Sequence, residues 1–357
     1  MPDPEASGER LAPYRSMRDF ERTPEPAGEV AGGDGPARFV VQEHHATALH
    51  WDVRLERDGV LVSWAVPKGV PPDPRENHLA VHTEDHPMEY LDFSGDIPKG
   101  EYGGGRMTVW DRGTYETEKW DDREVMVTFE GERVRGRYVF FHTGGKNWML
   151  HRLDPPEDPT RELMPGDLRP APLAAGELPA DEEAWSFEPA WGGQRVVVSV
   201  EGGRSRALDE AGEDVTGRYP ELRDFGRGVG AVAAAVEGEV VVTGADGRPD
   251  AEELARRATA RSDAALRRLA ARRPAALFLA DLVWLEGHAT APLPFTQRRA
   301  LLEKLELAGP TWRLAPAQPG EGSALLRAVR AQGLPGVVAR RLDGGYGAAS
   351  LRFVRTG

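Results

Sequence analysis

The sequence predicts an α+β protein with two domains, and three observations indicate this. The length of 357 residues exceeds the ~100–200 residues that are typical of one domain. The first half of the chain contains regularly spaced strand patterns, whereas the second half mixes strands with amphipathic helices. A stretch dense in proline and acidic residues separates the two halves, as in many interdomain linkers.

These composition changes divide the chain into four segments. Residues 1–37 are rich in proline, glycine and charge, and we expect them to be mostly irregular. Residues 38–153 form the first predicted domain. Residues 154–183 form the predicted linker, and residues 184–357 form the second predicted domain.

Eight short β-patterned runs follow one another in the first predicted domain. They are FVVQEH, LHWDVRLER, VLVSWAVP, HLAVHTE, GRMTVWDRGTYET, EVMVTFEG, GRYVFFHT and NWMLHRL. Turn signals such as RDG, PKG and TGGK separate them. Spacing this regular predicts an antiparallel sheet or barrel.

The second predicted domain alternates strand and helix patterns. The strand patterns are RVVVSVEG, GEVVVTG, ALFLADLVWLEG and GVVARRLD, and the helix patterns are DAEELARRATARSDAALRRLAARR and FTQRRALLEKLEL. This mixture predicts a mixed α+β domain.

Composition excludes several classes of protein. The chain has no cysteine, which excludes disulfide frameworks and Cys-ligated zinc and favours the cytoplasm. It shows neither a long apolar run nor a secretory signal, so we expect no membrane partner. The net charge of −13 excludes a generic basic nucleic-acid binder, so any contact with nucleic acid must be local.

The stretch HHATALHWDVR holds three of the nine histidines. The strand period places His50, Asp52 and Arg54 on one face, and a bend after His45 brings His44 alongside. Two histidines and an aspartate suit Mn²⁺, Zn²⁺ or Fe²⁺, and an arginine beside them suits a phosphate. The alternative is a solvated strand face with ordinary histidines.

A second stretch, HLAVHTEDHPMEY, repeats this chemistry. His82, Glu84 and His86 share one predicted face and can supply an acid, a base or phosphate donors. The alternative is a capped strand end before a proline. Tyr90 is a hydrogen-bond donor for a phosphate or a packing residue, and Lys68 is a phosphate-binding charge or a turn lysine.

Four motifs in order carry a resemblance to a known family. FVVQEHHATALHWDVRLE, SWAVPKG, LAVHTEDHPMEY and IPKGEYGGGRMTVWDRGTY resemble the 3′-phosphoesterase module of bacterial DNA ligase D. The resemblance covers about residues 13–153, and RSMRDFERTPEPAG resembles the opening segment of that module. It implies a compact, β-barrel-like fold and manganese-dependent removal of 3′-phosphates and 3′-terminal ribonucleotides.

The resemblance also implies roles for individual residues. The implied metal ligands are His44, His50 and Asp52, with Mn²⁺ as the metal and Zn²⁺ or Co²⁺ as alternatives. The residues implied in phosphate binding or catalysis are Arg54, Lys68, His86 and Tyr90, and Glu84 matches a carboxylate needed for activity. His78 stands where the family usually has an arginine, for which Arg75 is a possible substitute.

The second predicted domain resembles ATP-dependent DNA ligases, with changed motifs. WSFEPAWGGQRVVV matches the first ligase motif, but Ala190 replaces its lysine and Gly192 its aspartate. Glu239 of the third motif is kept. Pro335 replaces the glutamate of the fourth motif, and Phe353 the first lysine of the fifth. The resemblance implies a nucleotidyltransferase-like fold that lacks ligase chemistry, does not use ATP and has no oligonucleotide-binding barrel.

Together these features predict a bacterial DNA-repair protein of non-homologous end joining. We expect it to act on DNA or RNA-tipped DNA 3′ ends, to be cytoplasmic and nucleoid-associated, and to work with end-joining proteins such as a ligase or a Ku-like factor. One alternative is a non-enzymatic DNA-end binding or scaffold protein. Another is a phosphoesterase of small molecules.

Overall fold

The chain folds as two compact units. The computed structural model describes residues 8–28 and 35–356. Contacts divide the chain into a first unit, Met1–Pro159, and a second unit, Thr160–Gly357. Each unit has its own buried apolar clusters.

The first unit is built almost entirely from strands. It contains β1 (Arg38–His45), β2 (Leu49–Arg57), β3 (Val60–Val66), β4 (Asn77–His82), β5 (Gly95–Ile97), β6 (Gly105–Trp120), β7 (Glu124–Gly131), β8 (Arg135–Gly144) and β9 (Asn147–Arg152). A short helix, α1 (Ala12–Ser16), precedes them, and a 3-10 turn spans Met88–Leu91.

Eight of these strands close into an antiparallel barrel. Their order is β1-β2-β3-β4-β9-β8-β7-β6, and β6 pairs back with β1. β5 adds to the side of β6. The predicted barrel is confirmed, and each of the eight predicted runs forms a strand. β5 was not predicted, because three residues, GDI, are too few to show a period.

One face of the strands fills the barrel. The rings of Phe39 on β1 and Phe129 on β7 lie 4.6 Å apart between centroids. The rings of Trp64 on β3 and Phe140 on β8 stack at 4.5 Å. Neither pair of strands is adjacent in the sheet, so these contacts cross the interior. The apolar residues of the period-2 pattern therefore point inward.

The opposite face of β1, β2 and β3 is covered by the chain before β1. Leu11 and Tyr14 are fully buried, and Tyr14 packs in one cluster with Met88 and Tyr90. The segment 1–37 was predicted as mostly irregular. Its described part contains one short helix, yet it belongs to the core of the first unit. This cover explains why the polar face of β2 is buried instead of solvated.

The second unit combines two sheets with five helices among the residues that the structure describes. The strands are β10 (Trp185–Ala190), β11 (Gln194–Glu201), β12 (Arg204–Asp209), β13 (Ala234–Val242), β14 (Ala275–Leu285), β15 (His288–Ala289), β16 (Trp312–Leu314), β17 (Gln318–Pro319), β18 (Gly336–Arg341) and β19 (Leu351–Arg355). The helices are α2 (Leu222–Val229), α3 (Ala251–Thr259), α4 (Asp263–Arg272), α5 (Phe295–Lys304) and α6 (Gly322–Ala331).

The larger sheet has the order β12-β11-β13-β14-β15, with β16 parallel to β14, and the smaller has the order β17-β10-β18-β19. The predicted mixed α+β fold is confirmed. The long helical pattern before β14 divides into α3 and α4, because Ser262 caps the second helix by accepting the backbone N–H of Ala265. Within the described chain, no helix is long and apolar enough to span a membrane.

Much of the segment predicted as a linker packs on the second unit. The backbone N–H of Glu162 donates to the carbonyl of Gly287 at 2.7 Å, and that of Gly176 to the carbonyl of Phe353 at 3.0 Å. Four apolar side chains between the prolines join its clusters: Met164, Leu168, Leu173 and Leu178. The prolines prevent a regular strand, but these side chains anchor the segment.

Candidate active site

Three side chains at the start of β2 and the end of β1 form a candidate metal site. His44 lies opposite His50 in the β1–β2 register. One potential ligand atom from each of His44, His50 and Asp52 lies within 4.8 Å of the others. His44 Nδ1 is 3.5 Å and His50 Nε2 is 3.7 Å from the Asp52 carboxylate. The structure therefore brings together the predicted ligand set.

Backbone carbonyls orient both imidazoles. His44 Nε2 lies 2.9 Å from the carbonyl oxygen of Gly103, and His50 Nδ1 lies 3.0 Å from that of Ala48. Carbonyl oxygens only accept, so these two ring nitrogens donate and the other two carry the free lone pairs. When these imidazoles are neutral, His44 Nδ1 and His50 Nε2, the nitrogens that face Asp52, carry the lone pairs that a metal needs. Two imidazole nitrogens and a carboxylate fit a divalent ion such as Mn²⁺ or Zn²⁺.

Charge around Asp52 keeps its carboxylate ionised. Burial by itself would raise the pKa of Asp52, but the Arg54 guanidinium, together with His44 and His50, holds this pKa well below its usual range. Arg54 donates to Asp52 Oδ2 at 3.0 Å. Asp52 Oδ1 points to His50, so this oxygen is the one placed for a metal.

Arg54 is fixed by neighbouring polar groups. Its Nε donates to Gln42 at 2.7 Å and one terminal nitrogen donates to the Ser63 hydroxyl at 3.0 Å. Its guanidinium carbon lies 4.8 Å from the centre of the Tyr90 ring. Arg54 is only 2% exposed, yet it lines the cavity next to the candidate ligands. A guanidinium held in this way is preorganised for an anion.

The predicted site residues surround one cavity of about 150 Å³. Those that line it are His44, His50, Asp52, Arg54, Glu84, His86 and Tyr90. They come from β1, from β2 and from the chain that follows β4. Segments that are apart in sequence therefore meet at one point of the barrel surface.

His86 is buried between two positive charges. Burial first, and then the charges of Arg54 and Arg18, lower the pKa of His86 well below its usual value. Its Nδ1 donates to the carbonyl of Glu84 at 2.8 Å, and its Nε2 lies 3.3 Å from a donor nitrogen of Arg18. His86 is therefore neutral in this arrangement, with Nε2 as an acceptor.

Sequence reasoning missed two charged residues of the cavity, Arg18 and Glu25. Arg18 donates to Glu25 at 2.7 Å and to Glu84 at 3.1 Å. Tyr90 donates its hydroxyl to Glu25. The resemblance of RSMRDFERTPEPAG to the opening segment of the family module was the available signal, but no role was assigned to any of its residues.

Four predicted positions are not among the residues that line the cavity. Lys68 is exposed in the turn after β3, and its role at a phosphate stays a prediction. β4 ends at His82, before Glu84, so His82 does not share a strand face with Glu84 and His86 as predicted. The His82 ring packs against Trp64, with 5.3 Å between ring centroids. The other two are His78, which bonds the Gly69 carbonyl, and Arg75, which pairs with Asp73 at 2.5 Å.

The second unit contains a larger cavity where the changed ligase motifs converge. It has a volume of about 730 Å³, and its wall includes Ala190, Gly192, Pro335 and Phe353. These are four positions at which the ligase pattern has a lysine or a carboxylate. The lining that the structure describes includes no lysine, and Lys304 is exposed at the end of α5.

Glu239, the glutamate kept from the third ligase motif, lines that cavity and accepts hydrogen bonds from the backbone. Glu239 accepts the backbone N–H of Trp191 at 3.2 Å and that of Gly193 at 2.5 Å. Burial raises the pKa of Glu239. The Trp191 ring stacks on Phe278, 4.5 Å between centroids and 17° between planes. Glu239 therefore fixes the loop after β10 that carries the changed first motif.

Comparison with known families agrees with this description. Residues 42–142 match the DNA ligase D 3′-phosphoesterase domain, and residues 177–352 match the ATP dependent DNA ligase domain. The fold and the site thus define a protein that combines a phosphoesterase-type barrel with a ligase-type nucleotidyltransferase domain.

Three named relatives are similar in sequence over nearly the whole chain. The multifunctional non-homologous end joining protein LigD of Mycolicibacterium smegmatis is 39% identical over 95% of this chain and 44% of its own length. LigD of Mycobacterium tuberculosis H37Rv is 40% identical over 95% of this chain and 44% of its own length. LigD of Pseudomonas aeruginosa is 33% identical, covering 95% and 46% respectively. The chain is therefore homologous to these DNA ligase D proteins over 95% of its length, and it spans less than half the length of these curated relatives.

Two solved structures match about half of the chain. Mycobacterial DNA ligase D complexed with ATP and MES covers 52% of this chain and 60% of that chain, with 27% identity and a TM-score of 0.44. The ligase domain of M. tuberculosis LigD covers 52% and 59%, with 27% identity and a TM-score of 0.43.

Proposed function

We propose that the first unit is a metal-dependent phosphoesterase that processes DNA 3′ ends. It would remove a 3′-phosphate or a 3′-terminal ribonucleotide. The observation that carries this proposal is the group of His44, His50 and Asp52 beside the buried Arg54 guanidinium. This group lies in a cavity of a barrel that belongs to the 3′-phosphoesterase domain family.

In this proposal His44, His50 and Asp52 hold Mn²⁺, with Zn²⁺ or Co²⁺ as alternatives. Their donor set and the orientation of both imidazoles support such a site. A divalent ion there would polarise the phosphate and lower the pKa of a bound water. Asp52 is already ionised in the folded protein, so binding the ion does not require its deprotonation.

The two guanidinium groups of the cavity would bind the phosphoryl oxygens. Arg54 uses three donors within the protein, and a guanidinium has five. Arg18 lies across the cavity and is positioned by Glu25 and Glu84. Hydrolysis forms a bond from a water oxygen to phosphorus and breaks the bond to O3′. Negative charge that grows on the phosphoryl oxygens is then stabilised by Arg54.

His86 would supply the proton that the leaving O3′ needs. Before substrate binds, burial and the charges of Arg54 and Arg18 outweigh the opposing charge of Asp52 and lower the pKa of His86, so its imidazole is neutral. A phosphate placed between these arginines brings negative charge, which raises the pKa of His86. Binding of the substrate therefore favours its protonation. Glu84 and Tyr90 would act by holding Arg18 and Glu25 in place.

For the second unit we propose a ligase-like body without ligase chemistry. Ligation of this type begins when a lysine attacks the α-phosphate of ATP, and alanine occupies that position at residue 190. The loss of charge at Gly192, Pro335 and Phe353, which line the same cavity, supports the proposal. Sealing of processed ends then falls to a ligase other than this unit, together with end-joining partners such as a Ku-like factor.

The choice of substrate tests the proposed function. The chain should hydrolyse a primer–template with a 3′-phosphate or a 3′-ribonucleotide with a much higher kcat/KM than an aryl phosphate. Equal or better turnover of the aryl phosphate would favour an enzyme for small phosphoesters. Binding to DNA ends without any hydrolysis would favour a scaffold protein.

A further inference from the structure

Tyr102 is an exposed aromatic residue at the edge of the candidate active site. In the part of the chain that the structure describes, three large apolar side chains are exposed: Leu79, Tyr102 and Leu163. Tyr102 is 49% exposed, and it lines the cavity that contains the candidate metal ligands. Leu79 and Leu163 do not line that cavity. An exposed ring at a phosphate-processing site offers a flat apolar surface to a ligand.

The turn that carries Tyr102 is fixed at two points. It connects β5 to β6, and the backbone N–H of Glu101 donates to the Pro98 carbonyl at 3.2 Å. The Gly103 carbonyl accepts from His44 Nε2, which ties the turn to a candidate metal ligand. The Glu101 carboxylate pairs with Arg22 at 2.8 Å. The position of Tyr102 is therefore coupled to the position of the site.

The Tyr102 ring is also oriented towards the site. Its hydroxyl donates to Glu84 at 3.4 Å, and its centre lies 5.3 Å from the Arg18 guanidinium carbon. Burial of the hydroxyl and the nearby Glu84 charge raise the pKa of Tyr102, so this hydroxyl stays a donor at neutral pH. The hydroxyl is engaged on the cavity side, and about half of the side chain remains accessible to a ligand.

Because the chain carries a net negative charge, its binding of a strand end depends on local contacts such as stacking. With a net charge of −13, the protein gains little from general attraction to a nucleic-acid backbone. Every nucleobase presents a π face, so stacking on an aromatic side chain holds a strand end without reading its sequence. The cavity of about 150 Å³ accommodates a phosphate and not a whole nucleotide, so the base must lie outside it.

We propose that Tyr102 stacks on the base of the nucleotide that carries the reacting 3′-phosphate. This inference rests on the proposed function of the first unit and names the feature that distinguishes a nucleic-acid end from a small phosphoester. Tyr102 is then a specificity-determining residue. Its contribution appears in KM and depends on the presence of a base.

Two matched oligonucleotides test this inference. Both carry a 3′-phosphate, and they differ only in that the terminal nucleotide of one is abasic. The wild type should prefer the substrate with the base by roughly 5- to 150-fold in kcat/KM, the range that one stacked base provides. In Tyr102→Ala this preference should fall to about one, through KM. Tyr102→Phe keeps the ring and should keep the preference.

Leu79→Ala is the matched control, because it removes another exposed apolar side chain of the first unit that does not line the cavity. It should leave the preference unchanged. An equal loss of kcat on both substrates in Tyr102→Ala would overturn the inference, since it would show that the ring only positions Arg18 and Glu84. A wild type without preference would also overturn it. A wild type that hydrolyses neither substrate would overturn the proposed function and, with it, this inference.

Discussion

At the scale of single residues, the candidate site depends on the guanidinium of Arg54, which contacts several protein groups and also faces the cavity. Arg54 holds the Asp52 carboxylate, contacts Gln42 and Ser63, and still faces the cavity. Its burial means that it cannot reach a distant DNA backbone. In the proposed function Arg54 therefore acts on the reacting phosphate and orients Asp52.

Replacement of Arg54 should separate hydrolysis from binding. We expect Arg54→Ala to lower kcat/KM on a 3′-phosphate primer by about 10²–10³-fold, because it removes a preorganised charge from the growing negative charge. Affinity for duplex DNA, measured by fluorescence anisotropy, should change little. Arg57→Ala is the control on the same strand, because the Arg57 side chain is 40% exposed. Equal losses of hydrolysis and duplex binding in Arg54→Ala would instead indicate a general DNA contact.

At the scale of elements, the segment before β1 completes the site. Tyr14 is fully buried. Its ring lies 5.3 Å from His86 and 5.9 Å from Tyr90 between centroids, and its hydroxyl donates to the Pro26 carbonyl at 2.6 Å. This contact holds both Arg18 and Glu25 at the cavity. The barrel and its cover are thus separate parts of one active site.

Removal of the Tyr14 ring should loosen this cover. Tyr14→Ala is expected to destabilise the first unit by ~3–5 kcal/mol, as is typical of a large buried ring, and to expose the segment around Arg18 to limited proteolysis. Tyr14→Phe should lose about 1 kcal/mol for the hydrogen bond and stay resistant. Urea unfolding and peptide mapping measure both effects. A protease-resistant Tyr14→Ala segment would contradict this role.

In the second unit, β13 contributes a buried carboxylate with a clear pH dependence. Burial would raise the pKa of Glu237, but Arg340 and Arg195 lower it from 4.5 to about 2. The folded pKa lies below the unfolded value. The stabilisation is therefore fully present above pH ~4.5 and is lost as the pH falls through about 2. The neutral hydroxyl of Tyr346 also donates to this carboxylate.

Glu237→Gln should reveal this dependence as a difference. At pH 7 we expect the variant to be less stable by about 3 kcal/mol, since one pKa unit corresponds to ~1.4 kcal/mol. The difference should shrink as the pH falls from 4.5 towards 2. Hydrogen exchange of β13 amides, compared between the two proteins at each pH, measures it. A difference that stays constant with pH would show that Glu237 is not ionised in the folded unit.

The sequence predicted the eight barrel strands of the first unit, but it did not predict that the segment before β1 covers them. Period-2 patterns identified all eight barrel strands, because one face of each is apolar. The same period placed His50 and Asp52 on one face, and a bend after His45 was needed to bring His44 beside them. Arg18 and Glu25 lie in a segment without period, where only tertiary contacts decide position. Lys68 was proposed from its place after a strand and from the resemblance, and the structure places it in the exposed turn after β3.

At the scale of the whole molecule, the two units of the chain differ in the reactive side chains that they contain. The first unit keeps the ligand set of its family pattern. In the second, the positions changed from charged to small or apolar residues converge on one cavity. The cavity remains open and the apolar core around it is intact. The second unit therefore has a packed apolar core and an open cavity that lacks these charged groups.

This contrast predicts that the second unit does not adenylylate itself. Incubation with ATP labelled at the α-phosphate, with Mg²⁺ or Mn²⁺, followed by denaturing electrophoresis, should give no labelled protein. Ala190→Lys alone should not restore labelling, because Gly192 and Pro335 still lack carboxylates. A covalent label that maps to the second unit of the wild type would contradict the proposal.

We propose above that hydrolysis of DNA 3′ ends depends on a metal held by His44, His50 and Asp52. The most direct measurement is single-turnover removal of a 3′-phosphate from a primer–template by metal-stripped protein, with and without added Mn²⁺, for the wild type and His50→Ala. Mn²⁺ should restore the activity of the wild type, whereas His50→Ala should stay inactive at the same Mn²⁺ concentration while remaining folded by circular dichroism. Wild-type rates in His50→Ala, or full activity of the stripped protein in a chelator, would contradict this proposal.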